Sequence, residues 1–256
     1  MIVDGRALAA RRTDELKVER AQFGPLSLGI VVMQEDAVTT SFLRIKSRTA
    51  AALDIEVRYV PTLEDALQYD GVILQLPLPR ERDPEQERNR IPPEKDVDIL
   101  SDAAYEKFVQ GAYPPPPVPR AMDYIMKSYD ISYRNKHVVV VGQGRLVGKP
   151  AAELFRQRGA QVTVLERGDD LAPVRDADIV VLGAGVSGLI KAGMVREGVI
   201  ILDAGTSESS GAIVGDADPE CEKKASLMTP VPGGIGPIAV VEIFANLFAL
   251  KRLHGA

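Results

Sequence analysis

The stretch Val138-Val139-Val140-Val141-Gly142-Gln143-Gly144-Arg145-Leu146-Val147-Gly148-Lys149-Pro150-Ala151-Ala152-Glu153-Leu154-Phe155 joins a run of valines to an apolar-faced segment through a glycine-rich turn. The β-branched run reads as a buried strand over 137–141, and the spacing after it as an amphipathic helix over 147–158. Each glycine meets a different need of the turn. Gly142 permits a tight bend, Gly144 lets the backbone approach a pyrophosphate, and Gly148 allows close helix packing. The N–H groups and partial positive charge at a helix start favour a bound phosphate. Gly142, Gln143, Gly144, Arg145, Val147 and Gly148 are therefore the expected cofactor-binding residues, although G-x-G-x-x-x-G is one residue longer than the usual fingerprint.

The pattern continues outward from that turn. Strands are expected at 161–165, 178–182 and 199–203, separated by helices or loops, which makes a doubly wound, Rossmann-type nucleotide-binding unit. Glu166 closes the first of these strands. An acid there takes the ribose hydroxyls and repels a 2′-phosphate, which leans toward NAD; Arg145 and Arg167 could pair with that phosphate, so NADP stays open.

Upstream lie expected strands at 26–33, 55–60 and 71–76, with helices at 40–53 and near 63–68; helices are also read at 120–129 and 239–253. Strands alternating with helices imply a parallel sheet covered on both faces. Residues 80–98 are charged and show no periodicity, so they read as a long loop. The run Pro114-Pro115-Pro116-Pro117-Val118-Pro119 reads as a stiff, non-helical boundary. The expected organisation is α/β in two domains: 1–120 plus 241–256, and 121–240.

Composition narrows the partners. A net charge of -5 over 256 residues argues against a nucleic-acid surface. One cysteine, Cys221, and two histidines, His137 and His254, are too few for a Cys- or His-based metal site, so no metal is expected. No apolar run reaches the roughly 18–20 residues needed to span a bilayer, and no signal peptide is visible, so a cytoplasmic protein with no membrane partner is expected. Acid–base chemistry would fall to Lys, Asp, Glu or Tyr.

Three further segments resemble the bifunctional methylenetetrahydrofolate dehydrogenase/cyclohydrolase family. They are Gly71-Val72-Ile73-Leu74-Gln75-Leu76-Pro77-Leu78-Pro79, Lys95-Asp96-Val97-Asp98 and Thr229-Pro230-Val231-Pro232-Gly233-Gly234-Ile235-Gly236-Pro237. The order matches, Gly142–Pro150 resembles the family's cofactor turn, and the likeness covers nearly the whole chain. It implies two α/β domains with a cleft between them, and NAD(P)-dependent oxidation of 5,10-methylenetetrahydrofolate to the methenyl form, then hydrolysis to 10-formyltetrahydrofolate, usually by a homodimer. It also implies roles by position. Lys46 matches the catalytic lysine, Gln75 the residue that orients it, and Asp98 the acid that grips the pterin. Phe42, Leu76 and Pro77 fall on the folate side, and Gly233, Gly234 and Pro237 match a loop that closes on folate.

Several positions depart from the family. Phe42 replaces the tyrosine of Y-V-x-x-K, Gly144 a serine, Gln143 a basic residue common in NADP-using forms, and Ala239 a threonine. Pro116-Pro117-Val118-Pro119 stands in place of P-C-T-P, and the stretch between Val60 and Gly71 is abbreviated. Ile99 replaces a glycine, and a β-branched residue is not expected to take a positive φ there. Two other readings are a non-catalytic or regulatory dinucleotide-binding relative and a dehydrogenase of another small substrate.

Overall fold

The computed structural model describes residues 1–34, 37–209 and 212–255, and for 37–39, 41, 42, 209 and 212 the backbone alone. The chain divides into two compact units, Ala9–Pro117 with Val240–Ala256, and Met1–Leu8 with Val118–Ala239.

The 9–117 unit takes in most of α1 (Gly5–Arg20), then β1 (Ser27–Val31), α2 (Ala37–Ala52), β2 (Glu56–Val60), α3 (Leu63–Ala66), β3 (Gly71–Leu74), α4 (Pro84–Asn89) and α5 (Asp102–Val109). Its three strands form a parallel sheet in the order β2-β1-β3, with Leu28 opposite both Val57 and Gly71. Every residue of β3 is buried, as expected for a short apolar strand covered on both faces.

Residues 80–98 are not a structureless loop. They hold α4 and a single 3₁₀ turn, Pro93–Lys95. Asp83 caps α4 by accepting from the Glu85 N–H at 2.9 Å, and Pro84 follows as its first residue. A helix of six residues is too short to show periodicity, and only this cap-and-proline pair marked it. The proline run also differs from expectation, because α6 (Pro117–Ser128) begins inside it. The first turn of a helix has no intrahelical acceptor for its N–H groups, so Pro117 and Pro119 sacrifice no hydrogen bond there.

The 118–239 unit holds most of α6, then β4 (His137–Val141), α7 (Gly148–Gln157), β5 (Gln161–Leu165), β6 (Ile179–Leu182), β7 (Ile200–Asp203), the hairpin β8 (Ser207–Ser209) and β9 (Ala212–Val214), and β10 (Leu227–Met228). Its five-stranded sheet is parallel in the order β10-β7-β6-β4-β5. Numbered within the unit this is the doubly wound order 2-1-3-4-5 from the β5 edge, whose ligand crevice opens at the carboxyl ends of the strands where the order reverses. That point lies between β4 and β6. The opening residues of the chain join this unit and not the one that follows them: Ile2 bridges to Met228, and the Val3 N–H donates to the Met228 carbonyl at 2.9 Å. The last helix, α8 (Ile235–His254), supplies residues to both units.

Candidate active site and dinucleotide turn

At the reversal point Gly142 follows β4 with φ 95, and a Cβ there would stand 2.7 Å from the Gly183 carbonyl oxygen beyond β6. Gly148 opens α7 directly over the turn, where a Cβ would come within 1.8 Å of the Gly142 carbonyl oxygen. Gly144 faces open space, its nearest such neighbour being the Gly183 oxygen at 4.0 Å. The backbone is thus bare where a phosphate would approach and close-packed where the helix starts. Gln143 and Gly144 are exposed, Arg145 and Val147 half-buried, and Gly148 buried. Glu166 and Arg167 stand exposed at the end of β5, the Glu166 N–H held by the Asp169 carboxylate at 2.8 Å. Gly183 carried no motif and was found only through its packing.

In the 9–117 unit, α2 carries Lys46 to a position only 8% exposed. Its ammonium donates to Gln75 Oε1 at 2.7 Å, and Gln75 Nε2 donates to the Leu76 carbonyl at 2.7 Å. The second bond fixes the amide so that its oxygen faces the lysine. Gln75 lies one residue beyond β3, its N–H still donating to the Val31 carbonyl at 3.0 Å, so the sheet itself aims this side chain. Burial pushes the Lys46 ammonium below the usual lysine range, and the nearby Asp98 carboxylate opposes that fall. Burial raises Asp98 to about 6, with Lys46 pulling it down and Asp96 pushing it up. Leu76 and Pro77, joined by a cis peptide bond, follow directly. The Phe42 side chain lies outside the described residues.

The segment bearing Asp98 is held by groups that the sequence did not advertise. Asn246, fully buried on α8, donates to the Val97 carbonyl at 2.9 Å and to the Pro115 carbonyl at 3.1 Å. Asp96, also fully buried, accepts from the N–H groups of Leu100 at 3.0 Å and Ser101 at 2.7 Å. Asn246 and Glu242 interrupt the apolar run from Ile238 to Leu250 one turn apart, the signal that could have singled them out. Ile99 does adopt a positive φ, 53°, contrary to expectation. The left-handed conformation costs roughly 1–2 kcal/mol, while burying an isoleucine fully returns about 1.5–3 kcal/mol. At 1% exposure the side chain therefore outweighs the strain.

A raised acid makes a signed prediction. A carboxyl that holds its proton to about 6 when folded, but releases it near 3.8 in an ordinary setting, weakens the folded state above the higher value and not below the lower one. Asp98→Asn should melt several degrees higher than the parent near neutral pH, and the advantage should vanish by about pH 4. Thermal melts across that range check it; a constant difference would contradict the raised acid.

Gly233, Gly234 and Pro237 belong to the 118–239 unit, with Gly233 at φ 103 and Gly234 close enough to the Pro230 carbonyl that a Cβ would sit 2.6 Å away. Nearby, the Asp216 carboxylate collects the successive N–H groups of Ala184, Gly185 and Val186, at 2.7, 3.0 and 2.7 Å. Asp203 binds those of Gly205 and Ala217 at 2.9 and 2.8 Å. These acids tie together the loops that follow β6 and β7 at the carboxyl edge of the sheet. A cavity of about 390 Å³ in the same unit is bordered by Asp203, Ser187, Lys191, Asp218 and Val231. Among the described residues no group of three or more His, Cys, Asp or Glu could hold a metal, and no helix is long and apolar enough to cross a membrane.

Fold and site together define a two-unit α/β enzyme of the dinucleotide-binding class, with a lysine–amide–carboxyl cluster in one unit and a glycine turn in the other. The family model for tetrahydrofolate dehydrogenase/cyclohydrolase, NAD(P)-binding domain, matches residues 116–254, and the chain belongs to that family. The bifunctional protein FolD of Mycoplasmopsis synoviae (strain 53) is 33% identical over 276 residues, taking in 98% of this chain and 99% of that one. The crystal structure of the bifunctional FolD dehydrogenase/cyclohydrolase of Campylobacter jejuni superposes with a TM-score of 0.90 at 29% identity, covering 98% of each chain. The Trypanosoma brucei FolD structure, complexed with NADP and an inhibitor, gives a TM-score of 0.90 at 28% identity and covers 100% of this chain and 99% of that one.

Proposed function

We infer that this chain oxidises 5,10-methylenetetrahydrofolate to 5,10-methenyltetrahydrofolate and hydrolyses that product to 10-formyltetrahydrofolate. The observation that carries the reading is the buried Lys46 ammonium bound to Gln75 with Asp98 acting on it. Hydrolysing a methenyl amidinium takes two proton movements: one off the attacking water, one onto the leaving nitrogen. A lysine whose amine form is made accessible by burial serves both, accepting the first proton at Nζ and returning it to the nitrogen as the C–N bond breaks. Gln75 accepts a hydrogen bond from that amine and holds its direction. Asp98 is the acid that receives the N–H groups of the pterin, orienting the reacting carbon.

Gly142, Gly144, Val147 and Gly148 would hold the pyrophosphate of a nicotinamide dinucleotide, since the turn leaves space only where Gly144 lies bare. When bound, that dinucleotide supplies the hydride acceptor. Glu166, exposed at the end of β5, disfavours a 2′-phosphate and points to NAD, against the pull of Arg145 and Arg167. Purified protein should convert 5,10-methylenetetrahydrofolate with NAD in preference to NADP, followed by absorbance of the methenyl product. Preference for NADP would reassign the ribose end to an arginine. Absence of turnover with both, from folded protein that binds a dinucleotide, would overturn the dehydrogenase reading.

A further inference from the structure

Asp98 stands on a short segment whose two carboxyl groups are separated by one residue, and only one of them has a role so far. Asp96 is 0% exposed. The Lys95 ammonium donates to the Tyr69 carbonyl at 2.9 Å and to the Leu67 carbonyl. Both oxygens of Asp96 are taken by backbone N–H groups beyond Asp98, those of Leu100 and Ser101. Its own carbonyl accepts from the Ile99 N–H at 3.1 Å. The chain therefore folds back over Asp98 in a tight loop whose apex, Ile99, lies at φ 53. A bridge between Val72 and Asp96 sets the near end of that loop against β3, the strand that delivers Gln75. Asp96 thus ties the residues before Asp98 to the backbone after it.

We propose that Asp96 is a positioning residue for the folate site: its buried carboxylate ties the turn that follows Asp98 through the Leu100 and Ser101 N–H groups, so that the acid is presented to substrate in one place. The inference rests on the reading of Asp98 as the pterin-binding acid. The charged groups acting on Asp98 are Lys46, from α2, and Asp96, from its own segment. They pull in opposite directions, which makes the acid sensitive to the loss of either. Asparagine at 96 would keep the side-chain shape and one acceptor oxygen but remove the charge. An amide at the second position would also set an N–H against the backbone N–H it replaces as partner.

The test is a carbon-13 NMR titration of protein labelled at aspartate carboxyl carbons, with the Asp98 resonance assigned by its loss in Asp98→Asn. In Asp96→Asn the Asp98 midpoint is expected to move toward lower pH by roughly one pH unit, because a like charge has been withdrawn. The Michaelis constant for 5,10-methenyltetrahydrofolate is expected to rise at least about 10-fold, since the loop is no longer tied at both N–H groups. An unmoved midpoint in a folded variant would overturn the proposal, as would a wild-type Michaelis constant. If Asp96→Asn does not fold, Asp96→Glu carries the test. It keeps the charge but displaces the carboxylate, so a raised Michaelis constant is expected, and wild-type kinetics would overturn the assignment. Failure of the underlying reading is distinguishable, because Asp98→Asn would then bind and turn over folate like the parent.

Discussion

Replacing Lys46 by methionine is expected to reduce hydrolysis of 5,10-methenyltetrahydrofolate by on the order of 10²–10⁴-fold, the range that a positioned acid–base group contributes. Methionine has a similar reach and no charge, so it fills the same space at a position that is 8% exposed. Burying an ammonium costs the folded state, and that cost disappears with it. Part of the gain is offset because Gln75 Oε1 loses its donor. The expected outcome is therefore a protein that melts no lower than the parent and is nearly inactive as a hydrolase. Loss of methenyl absorbance over time, read beside a thermal melt, checks both halves. Lys46→Arg separates charge from proton transfer, because guanidinium stays protonated and cannot serve as the base. Hydrolysis at the parental rate in either variant would remove Lys46 from the chemistry.

The second large effect is expected at Gly148. An alanine there would place its Cβ 1.8 Å from the Gly142 oxygen, 2.8 Å from the Gly142 carbonyl carbon and 3.3 Å from the Gln143 Cα. All three atoms are backbone, so no side chain can swing aside; either the turn or the start of α7 must move. Dinucleotide affinity should fall at least about 10-fold, and dehydrogenase activity with it, because a helix start displaced by an ångström no longer aims its N–H groups at the phosphates. Hydrolysis should survive, since Lys46, Gln75 and Asp98 all belong to the 9–117 unit. Calorimetric titration with NAD and with NADP, run beside the hydrolase assay, reads the separation. Gly144→Ala is the control. It meets nothing nearer than 4.0 Å in the protein, so any loss of affinity there reports a clash with ligand alone. Parental dinucleotide affinity in Gly148→Ala would contradict the assignment of the turn.

The parts of this fold that could be read from sequence are those governed by neighbours along the chain. The strands His137–Val141 and Gln161–Leu165 occupy the residues expected of them, since β-branched runs bounded by turn residues carry their own signal. The glycine turn was legible for the same reason, since Gly148 packs on Gly142 and Gln143 just before it, whereas the contact of Gly142 with Gly183 was not. Lys46, Gln75 and Asp98 were singled out by resemblance, not by any pattern of their own, and the structure places Lys46 against Gln75 with Asp98 acting on it. What could not be read depends on partners far away in the chain. Asn246 is a polar residue within an apolar run until Val97 is placed against it. Ile99 looked incompatible with a left-handed turn because the side chains that bury it were not yet assembled. The first helix, Gly5–Arg20, escaped notice because it is polar nearly all round and shows no apolar stripe. The prolines at 117 and 119 misled in the opposite sense, since their prohibition applies to the interior of a helix and not to its first turn.

The pairing of Ile2 with Met228 has a consequence for how the molecule is made. A ribosome releases residue 2 long before residue 228 exists, so the edge of the larger sheet waits, unclosed, through most of synthesis. The 9–117 unit waits as well, because Glu242, which binds Arg12 at 2.8 Å, and Asn246 emerge only after residues 118–239. Each unit is thus completed by a piece that lies beyond the other unit in the sequence. Cutting the gene at the apparent boundary would not yield two self-sufficient halves. A recombinant fragment meant to stand for either one would have to be stitched from two separated stretches, and a newborn chain stalled before α8 would leave the 9–117 unit unfinished.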